Sequence, residues 1–152
     1  MDLSKVKWLV IFAVIIGGGW LFTSGGVNYM YNRATSGTPG VDAAKDKRNE
    51  ATLSKYGGFL MATFRYDRAK DFYNAALQRY PGGANRYWNR YQLARCHEKL
   101  EEYEDAVNLL VYLHNENAIQ YDPRVANPDE LKLRIQKLIE VNELDMDPFN
   151  ER

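Results

Sequence analysis

Apolar residues follow two different rules along this chain. Residues 8–32 contain no charge, and residues 8–22 carry no polar side chain apart from the indoles of Trp8 and Trp20. Coiled as one helix, residues 8–27 would be roughly 30 Å long, the thickness of a bilayer's hydrocarbon core. The pattern therefore predicts an N-terminal transmembrane helix, with residues 1–31 as a membrane anchor. Beyond Val41 the rule changes, and apolar residues recur at i, i+3 or i+4 and i+7 among charged ones, the period of amphipathic helices. Helices are expected over residues 41–64, 66–78, 84–99, 102–117 and 129–143. Breaks fall at Pro81-Gly82-Gly83 and across residues 121–128. No stretch sustains the period-two alternation of a strand, so the expected class is all-α.

Within residues 8–27, ten Leu, Ile, Phe and Val side chains favour insertion by roughly 3 to 6 kcal/mol before the polar penalties. Lys5 and Lys7 precede the run, which favours an N-terminus inside and a periplasmic or extracytoplasmic body. The rival reading is a cleaved secretory signal, for which Thr23-Ser24-Gly25-Gly26 is the nearest small-residue site. Ala13 and Gly17 stand four apart, a spacing that lets a neighbouring membrane helix approach closely, although glycine is common in membrane helices for other reasons. Residues 32–41 are rich in Gly, Pro, Ser and Thr and read as a linker. The helical domain follows over residues 42–146, and residues 147–152 form a tail.

The body repeats itself. Tyr66-Asp-Arg-Ala69 returns 37 residues later as Tyr103-Glu-Asp-Ala106. Leu53, Tyr56, Gly57 and Leu60 precede the first copy, and Leu93 with Ala94 precede the second. Tyr73 and Ala76 follow the first, and Leu110 follows the second. The small residues Gly57, Ala69, Ala76, Ala94 and Ala106 suit the crossing of two close helices. Pro81 closes the first copy.

This arrangement resembles the tetratricopeptide repeat, a helix–turn–helix unit of about 34 residues. The resemblance covers residues 50–81 and, without a closing proline, 87–120. It implies a short solenoid of about two repeats, with the helix over residues 129–143 as a C-terminal cap. It also implies a partner-binding groove lined by the first helix of each repeat: Ser54, Gly58, Met61 and Ala62, then Trp88, Tyr91, Arg95, Glu98 and Lys99. Ser54 and Gly58 stand where carboxylate-gripping members of the family present Lys and Asn, a departure that argues against such a clamp.

Composition narrows the function further. Twenty basic and twenty acidic residues cancel in a chain of 152, which removes the basic excess of a nucleic-acid binder. One cysteine and two histidines offer neither a disulfide nor a four-ligand zinc site. Cys96 and His97 project about 100° apart on a helix and read as packing. The eleven tyrosines read as repeat packing more readily than as stacking platforms. No catalytic motif is present, so no enzyme activity, metal, cofactor or small-molecule substrate is expected. The expectation is a single-pass membrane protein whose body binds protein partners, as an accessory or assembly subunit of a membrane or envelope complex. A transient peptide receptor for import, secretion or chaperone delivery is the alternative, and the uncovered ends of a short solenoid allow a homo-oligomer.

Overall fold

The computed structural model describes residues 3–149, with side chains from residue 6. The chain divides into a first unit ending at Ser36 and a second beginning at Gly37. All regular structure among the described residues is helical.

The first unit holds α1 (Leu3–Leu21) and α2 (Ser24–Thr35). The continuous helix expected over residues 8–27 is broken at Phe22 and Thr23, and the two axes meet at 75°. The break has a local cause. The Thr23 hydroxyl donates to the Trp20 carbonyl (2.7 Å), ending α1, and accepts from the Gly26 N–H (3.2 Å), starting α2. Gly26 is required there, because a Cβ would stand 2.3 Å from the Trp20 carbonyl oxygen. Among the described residues no single helix is long and apolar enough to cross a membrane; the bent pair together would be. Of residues 32–41, those through Thr35 continue α2. Ala13 and Gly17 lie exposed on α1.

The second unit stacks α3 (Ala43–Ala62), α4 (Tyr66–Arg79), α5 (Arg86–Lys99), α6 (Tyr103–Asn115) and α7 (Pro128–Val141), with one 3-10 turn at Ala118–Gln120 between the last two. Each helix packs on the next, and α3 also reaches α5. Asp42 starts α3 by accepting the Ala44 and Lys45 N–H groups (2.9 and 3.1 Å). Asn127 and Glu130 form a reciprocal capping box around Pro128, which is why α7 begins sharply.

The 37-residue period is written into the backbone. Phe64 and Glu101 both turn left-handed, at φ 60° and 62°, just before α4 and α6. Arg65 and Glu102 follow at φ/ψ of −96°/63° and −90°/64°. The Arg65 N–H donates to Leu60 and the Glu102 N–H to His97, both at 2.9 Å. These are two copies of the same Schellman-type helix ending.

Leu53, Gly57, Leu60, Ala69, Phe72, Tyr73 and Ala76 are buried where α3 crosses α4. Ala94, Val107, Leu110, Leu113, Val125, Leu131 and Ile135 form the core of α5, α6 and α7. Tyr56 packs edge-on against Phe72, and Tyr66 against Phe64, both half-buried; Leu93 and Ala106 are buried, and Tyr103 is half-buried. Pro81 is exposed in the turn after α4 and makes its contribution by ending that helix.

The chain beyond α7 folds back on the core. Leu144, Met146 and Phe149 pack beside the α6–α7 core, with the Phe149 ring 5.2 Å from His114 and under Lys132 at 5.2 Å. Residues 147–149, expected in the tail, therefore belong to this strap. The rest of the tail, residues 150–152, lies outside the described residues, as do Asp2 and the Lys5 side chain of the N-terminal flank.

Candidate partner-binding face

The first helices of the repeats bring the predicted groove residues onto α3 and α5, where they divide into two groups. Ser54 and Met61 are committed within the stack. The Ser54 hydroxyl lies 2.7 Å from Asn89 Oδ1 and 3.0 Å from the Glu50 carbonyl. The Met61 sulfur accepts the Tyr73 hydroxyl at 3.7 Å. Gly58 is half-buried and Ala62 exposed.

Trp88, Tyr91 and Glu98 run along α5 and meet two arginines that periodicity alone does not single out. Arg124, from the loop before α7, lies 5.0 Å from the Trp88 ring centre, and Trp88 and Tyr91 are 6.0 Å apart. Arg134 of α7 donates to the Tyr91 hydroxyl (3.2 Å) and to Glu98 Oε2 (2.8 Å). Burial works against the Arg134 charge, but the Glu98 hydrogen bond outweighs it and raises its pKa. Glu98 Oε1 is buried with no hydrogen-bond partner, next to a hollow of about 300 Å³ floored by Leu138 and Val141. Arg95 turns to its own helix and donates to Gln92 (3.1 Å); Lys99 is exposed.

A polar joint ties α3 to the start of α5. Glu50 is only 2% exposed; its Oε1 accepts the Asn85 N–H at 2.7 Å. Gly83 leaves room for that carboxylate, since a Cβ would sit 2.2 Å from Oε1. The Asn85 side chain accepts from Arg124 (2.9 Å), which also clasps Asp122 at 2.6 and 2.8 Å. Burial alone would push the Asp122 carboxyl up, but those arginine hydrogen bonds prevail and hold it below the usual range. At the same end, a cleft of about 470 Å³ opens between Asp46, Lys47 and Glu50 of α3 and Arg79 at the end of α4 with Tyr80 just beyond it. Arg79 reaches across to donate to the Gly37 carbonyl.

His97, Glu102 and Asp105 bring a metal-like donor set within 4.8 Å. The geometry argues for an ion-pair staple instead. Lys70 holds both Glu102 oxygens at 2.7 Å, and His97 Nδ1 lies 2.6 Å from Glu102 Oε2, so a cation would have to displace an ammonium. The staple joins α4, α5 and the start of α6. Cys96 beside it is buried, and burial pushes its thiol up to about 12, far from a nucleophile's range.

One comparison with known families bears on the body. A tetratricopeptide repeat family model matches residues 60–118, from the last turn of α3 to the 3-10 turn after α6. The match supports the tetratricopeptide-repeat family. It takes in both left-handed corners, and α3 to α7 are consistent with a tetratricopeptide-like solenoid. Such repeats are generally a non-catalytic fold for protein–protein interaction or scaffolding. No curated protein and no solved structure matches the chain.

Sequence reasoning missed Arg124, Arg134, Glu50, Asn85 and Asn89. Arg134 reads in sequence as one of the polar positions between apolar ones. Arg124 sits in a stretch with no period at all. The one available signal is Asp122-Pro-Arg124, where an acid two residues before a base in a tight turn invites a local clasp.

Proposed function

We propose that the chain is a membrane-anchored scaffold whose tetratricopeptide body holds a partner protein beside a bilayer, as a non-catalytic accessory or assembly subunit of a membrane or envelope complex. The observation that carries this reading is α1, whose Trp8, Leu9, Val10, Phe12, Val14, Ile15 and Ile16 are each more than half exposed on a helix attached to an interaction fold. A helix apolar on every side is stable only where its surroundings are apolar too. The flanking lysines favour an N-terminus inside and a body on the extracytoplasmic side.

Mild detergent extraction followed by affinity purification tests the scaffold, with stoichiometric partner proteins expected. A monodisperse protein that emerges alone would overturn it. Protease digestion of sealed vesicles tests the topology, which predicts cleavage of the body only from the extracytoplasmic side.

The alternative, a transient peptide receptor, is favoured by one feature. Glu98 Oε1 is a buried acceptor without a donor beside a hollow lined by Arg134, Lys137, Leu138, Val141 and Asn142, a place for a peptide N–H. It predicts that Glu98→Gln weakens binding of extended or amphipathic peptides at least tenfold. Equal titrations for both proteins would dismiss it.

A further inference from the structure

We propose, building on the anchoring reading above, that α1 alone enters the bilayer and that the Trp20–Tyr29 corner sits at headgroup level, so that α2 lies along the membrane surface. The occupant of α1 follows from where its bare residues point. Successive side chains on a helix are about 100° apart. Residues 8–12 and 14–16 therefore expose apolar groups in every direction. A groove on a partner covers one side of a helix, whereas acyl chains surround it.

The depth follows from length. The uncharged part of α1, residues 8–21, is about 20 Å long, shorter than a hydrocarbon core of about 30 Å. Lys7 and Trp8 at one end and Trp20 at the other are the residue types that reach from a short helix to the interface. The remaining mismatch is met by local thinning, at fractions of a kcal/mol per Å.

The corner follows from the built bend. Trp20 and Tyr29 pack at 5.7 Å, each about half exposed, across an angle of 75°. Aromatic rings with polar edges favour the headgroup layer. If α1 runs along the membrane normal, that angle leaves α2 close to the membrane plane. The composition of α2 agrees, since Ser24, Asn28, Asn32 and Arg33 carry polar groups that hydrocarbon rejects and headgroups accept. Tyr29 and Arg33 share one exposed side of α2, a ring and a cation four residues apart, suited to lipid phosphates.

The test is depth measurement on the full chain in phosphatidylcholine/phosphatidylglycerol vesicles. Spin labels are placed singly at Ile15→Cys, Ser24→Cys and Asn32→Cys, with the body's melting transition as the check on folding. The inference expects Ile15 deep in the acyl region, and Ser24 and Asn32 at equal headgroup depth to within about 4 Å. A straight span would instead put Asn32 about 12 Å further toward water than Ser24, at about 1.5 Å per residue. That result overturns the surface helix and leaves the anchor standing. A label at Ile15 that meets no lipid, because it is in water or against a partner protein, removes the anchor itself.

Discussion

Phe64 and Glu101 occupy a backbone region that costs a residue with a Cβ about 1–2 kcal/mol, and neither is glycine. Phe64 recovers part of that through its edge contact with Tyr66. Glu101 is exposed in the turn that joins α5 to α6. Glu101→Gly should therefore stabilise the body by about 0.5–1 kcal/mol, after the extra flexibility of glycine in the unfolded chain is subtracted. A raised denaturation midpoint at constant slope is the expected reading. One residue further on, hydrogen bonds from Lys70 hold the Glu102 carboxyl below the usual glutamate range, partial burial opposes this, and His97 adds to the lowering. A depressed carboxylate stabilises the fold fully above its unfolded pKa of about 4.3, and the contribution is lost as pH falls through the lower folded value. Glu102→Gln should accordingly flatten the loss of stability as pH falls below about 4.3, measured by urea unfolding at each pH. The effect is modest because the pair is partly in water.

At the level of elements, the two repeats solve one crossing with different pairs of side chains. In the first, Gly57 lies under the Tyr73 ring, where a Cβ would come within 2.8 Å. In the second, the positions 37 residues later are Ala94 and Leu110, both buried. Gly57→Ala should cost about 1–3 kcal/mol through overpacking. Adding Tyr73→Leu rebuilds the second repeat's pair, so the double variant should be more stable than the sum of the single effects, as a double-mutant cycle would show. These crossings are legible in the sequence because small and large residues keep the helical period. The expected helices over 66–78, 84–99 and 129–143 differ from α4, α5 and α7 by at most two residues at each end. The break between α1 and α2 is not legible through hydropathy, which continues across it. Its signal is Thr23-Ser24-Gly25-Gly26, a capping residue before two glycines, which resembles a processing site as much as a corner. The arginines on the α5 face escape for another reason: a charge's tertiary partner lies on a different helix, and spacing along one helix carries no information about it.

For the molecule as a whole, the difficulty is how a short stack of helices ends. α7 packs on α6, and among the described residues it is the last helix. The strap at Leu144, Met146 and Phe149 takes the place of a further helix against the core. Phe149→Ala should cost about 1–2 kcal/mol, less than the about 3–5 kcal/mol of a fully buried phenylalanine because the site is half-buried. Hydrogen exchange should quicken in α7 before it does in α4, since the far end depends on the strap and the middle does not. Two apolar side chains of α7, Leu133 and Val141, stay 67% exposed among charged neighbours such as Lys132, Lys137 and Glu140.

The matched corners at Phe64 and Glu101 make the intervening segment a module. A block cut at those two bends begins and finishes in the same backbone geometry, so a duplicated copy spliced in at the second bend would meet the chain without a kink or a change of register. The array is thus extensible in units of 37 residues, and a lengthened protein would offer its partners a longer ladder rather than a different fold.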